Sequence, residues 1–171
     1  MIVALTGFMA SGKTTFGRAA AARLGWDFLD LDQEIGRRYG SAAELFDSKG
    51  EAFFRAVETE VLSGILSSAP GDTVLALGGG AIIHKENLQM LREAFAPIVW
   101  LDTDFEIILS ELDNSDRPTV RGKSVAEVRA IYEKRRPLYA DAADVVFPVR
   151  TTDYAKVIED LAKTINSFKR I

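Results

Sequence analysis

Short runs of β-branched and apolar residues alternate along the chain with longer stretches that have the spacing of amphipathic helices. Strands that alternate with helices form parallel sheets with helices on both faces, and 171 residues suffice for one such core. The pattern therefore predicts a single α/β domain over residues 1–171. Five runs predict its strands: IVALT from residue 2, DFLDL from 27, TVLALG from 73, APIVWLD from 96 and ADVVFPV from 143.

Two predicted helix starts carry a specific local signal. SAAE at 41–44 and SVAE at 124–127 fit the capping box, in which two side chains satisfy each other's free backbone donors. By contrast, the polar segment LDNSDRPTVRGKS, residues 112–124, has neither a helical nor a strand period. It predicts a mobile surface loop that carries Arg117.

Composition and charge exclude several classes of function. The 21 basic and 25 acidic side chains give a net charge of -4 without a long basic run, which argues against a nucleic-acid partner. The absence of cysteine excludes disulfides, cysteine-bound zinc and thiol catalysis. The first residues lack a signal-peptide pattern, and no apolar run has membrane-spanning length. We expect a cytoplasmic monomer with no membrane partner.

The segment GFMASGKTT matches the phosphate-loop pattern G-x-x-x-x-G-K-[ST] between a predicted strand and a predicted helix. In such a loop backbone N–H groups face the phosphates, Lys13 neutralises their charge and the Thr14 hydroxyl completes a Mg²⁺ shell. A glycine turn before an ordinary helix is the alternative, but motif and flanking elements agree. The predicted nucleotide-binding residues are Ala10, Ser11, Gly12, Lys13, Thr14 and Thr15.

Two carboxylates, Asp30 and Asp32, follow the second predicted strand. Their spacing places both on the same side of an extended chain, where one can support the metal and the other an acceptor hydroxyl. Asp32 is the candidate for the hydroxyl, and Asp30 for an indirect role at the metal. The alternative is that one of them only caps a helix starting near Gln33.

The third predicted strand ends in Gly78-Gly79-Gly80, where many phosphate-loop proteins place an acidic metal partner. Because glycine has no side chain, a ligand can approach this backbone more closely than it could approach any other residue. We expect the glycines to line the acceptor site, and a bulky side chain at Gly79 to damage acceptor binding before ATP binding. A tight turn at a helix start is the alternative.

Three arginines are candidates for binding an anionic ligand, because the guanidinium fork binds a carboxylate with two parallel hydrogen bonds. Arg55 borders the apolar stripe of its predicted helix, and an ion pair with Glu58 is its alternative role. Arg135 precedes a helix end that we expect at Pro137, where it could instead interact with the helix dipole. Arg117 either closes on the phosphates or is a solvated loop charge.

In their order and separations, the segments GFMASGKTT, FLDLDQEI, GEAFFRAVE, LGGGA, DRP and KRRPLY resemble the shikimate kinase family over nearly the whole chain. The resemblance implies a P-loop, NMP-kinase-like fold whose five-stranded parallel sheet has the order 2-3-1-4-5. It implies a substrate-binding region at about 31–67 and a lid at about 112–124. The implied reaction is transfer of the ATP γ-phosphoryl to the 3-hydroxyl of shikimate, with Mg²⁺ as cofactor.

The resemblance also implies individual roles. The residue matching Asp32 meets the acceptor hydroxyl, those matching Arg55 and Arg135 hold the shikimate carboxylate, and the triple glycine lines the same pocket. Arg117 matches the lid arginine that reaches the phosphates. We therefore expect Lys13, Asp32 and Arg117 to be the catalytic residues.

The chain departs from the family pattern at two places. Family members often have glycine at the position of Ala10, where a negative φ would leave the loop only slightly restricted. Many also have an arginine that packs on adenine, where this chain has Leu109 and Ser110. An apolar contact could replace that cation, at a cost of about 0.5 to 2 kcal/mol.

Two other functions fit part of the pattern. A kinase of another small hydroxylated acid, such as gluconate, could use the same scaffold, although the two arginines and the triple glycine argue against it. A nucleotide-binding module that has lost turnover is the second alternative, and Lys13, Asp32 and Arg117 argue against it.

Overall fold

The protein contains a five-stranded parallel sheet with helices on both faces. A computed structural model describes residues 1–112 and 120–170. Within these ranges the strand order β2-β3-β1-β4-β5 confirms the predicted order 2-3-1-4-5. The strands are β1 (Ile2–Thr6), β2 (Asp27–Asp30), β3 (Thr73–Ala76), β4 (Ile98–Thr103) and β5 (Val145–Val149).

Helices follow each strand in the described ranges, and the stretch between β2 and β3 folds into three of them. They are α1 (Lys13–Leu24), α2 (Leu31–Tyr39), α3 (Ala42–Lys49), α4 (Glu51–Ser68), α5 (Lys85–Glu93), α6 (Phe105–Glu111), α7 (Val125–Ala142) and α8 (Tyr154–Ser167). Short 3₁₀ turns occur at Ala81–Ile83 and Phe168–Arg170. No helix in the part of the chain that the structure describes is long and apolar enough to cross a membrane.

The sheet separates two apolar clusters because successive strand residues point to opposite faces. Val3 and Leu5 of β1 contribute to the cluster under α1 and α8, whereas Ala4 contributes to the cluster under α4 and α7. All residues of the strands β3 and β4 are buried, as expected for strands covered on both faces.

Strand pairing brings the candidate loops to one edge of the sheet. β3 pairs in parallel with both β1 and β2, and Asp30 at the end of β2 lies opposite Ala76 near the end of β3. The carboxyl ends of parallel strands meet at the same edge, which is where ligands bind in open α/β sheets. The phosphate loop after β1, Asp30 and the triple glycine are therefore neighbours.

Two local expectations were wrong. β2 ends at Asp30 and α2 begins at Leu31, so Asp32 lies in a first helical turn rather than on an extended chain. The Asp30 carboxylate accepts from Gln33 N at 3.1 Å and thereby caps α2 directly after the strand. In α7, Pro137 does not end the helix, which continues to Ala142 because the following turn packs into the core.

Both predicted capping boxes are confirmed, at Ser41 and at Ser124. Of the loop predicted over residues 112–124, positions 113–119 lie outside the described residues. In the described part of that segment, Arg121 forms an ion pair of 2.7 Å with Asp47 of α3.

We predict that Ser124→Ala lowers the free energy of unfolding by about 1 kcal/mol, since it leaves the first turn of α7 without its side-chain acceptor. Urea denaturation measures this change. Ser67→Ala is the matched control, because that hydroxyl donates only to the Ser63 carbonyl within α4 and should be nearly neutral to remove. Equal effects of the two substitutions would contradict the prediction.

Candidate active site

The phosphate loop connects β1 to α1 and turns its lysine back over its own backbone. Lys13 is buried, and its ammonium group donates to the carbonyl oxygens of Gly7 at 2.9 Å and Phe8 at 2.7 Å. Gly12 has φ +93°, and a Cβ there would lie 2.3 Å from the Phe16 ring. Glycine at this position therefore meets both a conformational and a steric requirement.

Ala10 has φ +57°, so the condition under which alanine would restrict the loop only slightly, a negative φ, is not met. The left-handed conformation costs an L-residue with a Cβ about 1 to 2 kcal/mol relative to the right-handed one. The phosphate loop of this chain is thus built with strain that glycine at the same position would relieve.

The Thr14 hydroxyl donates to Asp30 Oδ2 at 2.5 Å. Because the proton points to Asp30, the hydroxyl lone pairs stay available to a cation, and Asp30 both caps α2 and orients Thr14. Among the described residues no group of three or more His, Cys, Asp and Glu could hold a metal. The donors present fit Mg²⁺, which binds through few protein oxygens together with substrate phosphates.

One cavity joins the phosphate loop to both aspartates. It is lined by Ala10, Ser11, Gly12, Lys13, Thr14, Thr15, Phe16, Asp30, Asp32, Leu77, Thr103, Ile107, Glu111 and Tyr154. The structure therefore brings all six sequence-predicted nucleotide-loop residues together with Asp30 and Asp32. Arg117, the seventh nucleotide-binding candidate, lies outside the described residues.

The triple glycine is required for space, since none of its three residues has a positive φ. A Cβ on Gly78 would lie 2.8 Å from Asp32 Oδ1 and 2.9 Å from Glu58 Oε1, and one on Gly80 would lie 2.6 Å from Arg55 Nη2. Gly79 faces the phosphate loop, where a Cβ would lie 3.3 Å from Met9 N. The glycines thus admit charged side chains on one side and the phosphate loop on the other.

This geometry changes the expectation about Gly79. The sequence predicts that a bulky residue at Gly79 damages acceptor binding first, but its nearest neighbour is the phosphate-loop backbone. Gly78 and Gly80 are the glycines whose substitution would displace Asp32, Glu58 or Arg55. A selective effect on the acceptor is therefore expected at those two positions.

Arg55 takes part in the ion pair that was its alternative role and also reaches the glycine loop. Its Nη1 donates to both carboxylate oxygens of Glu58, at 3.1 and 2.9 Å. Glu58 is only 1% exposed, and burial together with nearby Asp32 raises its pKa, while Arg55 opposes the shift. Glu58 therefore holds the guanidinium against Gly80 at an electrostatic cost of its own.

Arg135, on α7, is the second arginine near Glu58 and the glycine loop. It contributes to the electrostatic environment of both Glu58 and Tyr139, and its guanidinium lies 5.9 Å from the Phe8 ring centroid. The buried Tyr139 hydroxyl donates to the Gly79 carbonyl at 2.6 Å, and burial raises the pKa of Tyr139 to about 12. Tyr139 thus stays neutral and fixes the glycine loop against α7.

Sequence reasoning assigned no site role to Glu58 or Tyr139. Glu58 entered only as an ion-pair partner of Arg55, and Tyr139 only as part of the KRRPLY segment. Glu58 follows Arg55 by three residues, and Tyr139 follows Arg135 by four, so each pair lies on one helix face. This spacing is the sequence signal that could have identified both residues.

The fold and this cavity define the class of the protein, a P-loop kinase of the NMP-kinase-like type. A family model described as shikimate kinase matches residues 9–166. Shikimate kinase of Moorella thermoacetica is 36% identical over 169 residues, covering 97% of this chain and 95% of the relative. The shikimate kinase of Nitratidesulfovibrio vulgaris is 42% identical over 147 residues and covers 82% of each chain.

Solved structures agree with the sequence relatives. Shikimate kinase from Acinetobacter baumannii in complex with shikimate has a TM-score of 0.89 and 33% identity, over 98% of this chain and 94% of that one. A gluconokinase from Sinorhizobium meliloti has a TM-score of 0.63 at 14% identity and shares the fold, over 97% and 91% of the two chains. The chain belongs to the shikimate kinase family.

We predict that Glu58→Gln changes how stability depends on pH. As pH rises above the ordinary value of 4.5, the unfolded chain releases this proton while the folded protein retains it. The contribution of Glu58 to the free energy of unfolding is therefore constant below pH 4.5. Above that pH it falls until the pH exceeds the raised pKa of Glu58 in the folded protein. Urea denaturation between about pH 4 and pH 8 should show a stability difference, wild type minus variant, that falls accordingly.

Glu60→Gln is the matched control for this measurement. It removes an exposed carboxyl from the same helix, where the side chain accepts only from the Tyr39 hydroxyl. A wild-type profile parallel to that of Glu58→Gln over the whole range would show that the buried carboxyl does not retain its proton.

Proposed function

We propose that this chain transfers the γ-phosphoryl of ATP to the 3-hydroxyl of shikimate, giving shikimate 3-phosphate and ADP. The observation that carries the proposal is that the nucleotide site and the acceptor site both border the triple glycine. Gly79 packs on the phosphate-loop backbone, while Asp32 and Arg55 lie against its neighbours Gly78 and Gly80. An acceptor held by these side chains is adjacent to the terminal phosphate, as direct transfer requires.

On the nucleotide side, the loop residues 10–15 would bind the phosphates and Lys13 would stabilise charge on the transferred group. The ammonium group already lies at the loop, where it donates to the carbonyl oxygens of Gly7 and Phe8. Mg²⁺ bound through Thr14, with Asp30 orienting that hydroxyl and Asp32 nearby, would neutralise phosphate charge.

On the acceptor side, Asp32 would orient the hydroxyl and accept its proton as the phosphoryl group arrives. Arg55 and Arg135, from different helices, would bind the carboxylate of shikimate. The Arg55–Glu58 pair supports this role because the buried carboxylate fixes the guanidinium before the substrate binds. A guanidinium positioned in advance loses less conformational entropy on binding.

The remaining features of the proposal come from the sequence. We propose that residues 112–124 act as a lid whose Arg117 reaches the phosphates, and that residues 31–67 form the substrate-binding region. A reducing cytoplasm suits a chain without cysteine. We also propose that the chain acts as a monomer.

The test of the function is ADP release with ATP, Mg²⁺ and a panel of hydroxy acids that includes shikimate and gluconate. We expect turnover with shikimate and at most a trace with gluconate, because in the proposed site Arg55 and Arg135 would hold the shikimate carboxylate while Asp32 meets its 3-hydroxyl. Turnover with gluconate alone would reject the proposal in favour of the other kinase. ATP binding without turnover on any acceptor would favour a non-catalytic module.

We predict that Arg55→Lys raises the KM for shikimate about 10- to 100-fold and changes the KM for ATP less than about twofold, because lysine keeps the charge beside Glu58 but loses the fork. Steady-state kinetics with each substrate varied in turn measures both constants. Arg37→Lys is the control, since Arg37 is an exposed partner of Glu34. Equal losses for both substrates would identify Arg55 as a purely structural residue.

A further inference from the structure

A buried amide holds the 3₁₀ turn Ala81–Ile83 that follows the triple glycine. Asn87, in the first turn of α5, is 0% exposed, and its Nδ2 donates to the Ala81 carbonyl at 3.0 Å. Its Oδ1 accepts at 2.8 Å from the hydroxyl of Thr59, which lies on α4. The Asn87 side chain therefore connects the end of the glycine loop to a second helix.

Thr59 lies one helical turn after Arg55, so the two side chains share a face of α4. The Arg55 guanidinium packs so closely against Gly80 that a Cβ on that glycine would lie 2.6 Å from Nη2. Ala81, whose carbonyl accepts from Asn87, is the next residue of the chain. The Thr59–Asn87 hydrogen bond thus joins the same two segments that meet at Arg55 and Gly80, and it limits how far they can separate.

A gain in stability does not by itself explain this polar pair. The hydrogen bonds of a buried amide mainly offset the cost of its burial, and an apolar pair of the same shape can be about as stable. The Ala81 carbonyl also accepts from His84 N at 3.3 Å, so it would keep a partner without Asn87. Hydrogen bonds differ from apolar contacts in direction, because they hold donor and acceptor at a defined distance and angle.

We infer that Asn87 and Thr59 are positioning residues for the acceptor site, which hold Gly80 against Arg55 and so keep the guanidinium in place for the substrate carboxylate. The inference rests on the proposed function, and both residues act through Arg55 and Gly80 rather than by contact with the substrate. A site that is already held in its binding geometry binds more tightly, because less conformational freedom is lost when the ligand arrives.

The nucleotide site should not depend on this pair. The phosphate loop is fixed by contacts of its own, which include the hydrogen bonds of Lys13 to two loop carbonyls. Gly79, the glycine beside that loop, is held separately by the Tyr139 hydroxyl from α7. Loss of the Thr59–Asn87 hydrogen bond should therefore weaken binding of the acceptor and leave binding of ATP unchanged.

The first test is steady-state kinetics with shikimate and ATP varied in turn. We expect Thr59→Val, which keeps the shape but lacks the hydroxyl, to raise the KM for shikimate about fivefold and to change kcat and the KM for ATP less than about twofold. Thr59→Ser keeps the hydroxyl, so its KM for shikimate should stay within about twofold of wild type. Ser68→Ala is the matched control, because that hydroxyl donates to the Gly64 carbonyl within α4.

The double variant Thr59→Val/Asn87→Leu separates positioning from stabilisation. It replaces both partners by apolar groups of similar shape, so its urea midpoint should stay near the wild-type value while its KM for shikimate rises about tenfold. Ile165→Val is the converse control, since it removes a methyl group from the apolar cluster under α1 and α8. It should lower the urea midpoint and leave the KM for shikimate unchanged. If the double variant does not fold, Thr59→Val and Thr59→Ser decide the question.

Three results would overturn the inference. They are an unchanged KM for shikimate in Thr59→Val, an equal rise in the KM for both substrates in that variant, and an equal rise in the KM for shikimate in Ile165→Val.

Amide hydrogen exchange separates this inference from the proposed function. In Thr59→Val we expect faster exchange at residues 80–84 and unchanged exchange at residues 10–15. That result without phosphorylation of shikimate by the wild type would reject the reaction and leave the positioning of the turn standing. Shikimate turnover with a KM that Thr59→Val does not change would reject only the positioning role.

Discussion

The close packing of two loops is the constraint on which the site depends. The phosphate loop follows β1 and the glycine loop follows β3, and the two strands are direct neighbours in the sheet. Gly79 lies so near Met9 N that a Cβ would be in tight contact with it. Because both loops are anchored to paired strands, the phosphate loop and the glycine loop keep a fixed separation, as phosphoryl transfer between ligands bound at them would require.

The charged side chains around the glycine loop, which we propose to be the acceptor region, are arranged so that their charges compensate one another. Glu58 is buried and its ionisation is penalised, yet the adjacent Arg55 guanidinium partly compensates it. Arg135 adds a second positive charge from α7, and the neutral Tyr139 ties that helix to the glycine loop. Asp32 beside Gly78 is a second carboxylate, so the two guanidinium groups of Arg55 and Arg135 are balanced in charge. A small acid is favoured over a neutral sugar by the paired hydrogen bonds that a guanidinium fork donates to a carboxylate.

Local signals in the sequence were reliable where short-range hydrogen bonds decide the structure. The capping boxes at Ser41 and Ser124 agree with the structure. The sheet order also agrees, but the family resemblance and not a local signal implied it. Local reasoning was wrong at Asp32, because Asp30 caps the next helix at once, and at Pro137, because packing of the last turn of α7 outweighs one lost hydrogen bond. It left the sign of φ at Ala10 open, and the structure shows that this φ is positive.

The sequence by itself determined the alternation of strands and helices, the phosphate loop and the family, because these depend on residue spacing and local backbone chemistry. Only the tertiary structure decided which side chains meet. Glu58 and Tyr139 reach the glycine loop from two different helices, and Glu111 meets Tyr154 across 43 positions of sequence. Such contacts depend on how helices pack on the sheet, and no local pattern specifies that packing.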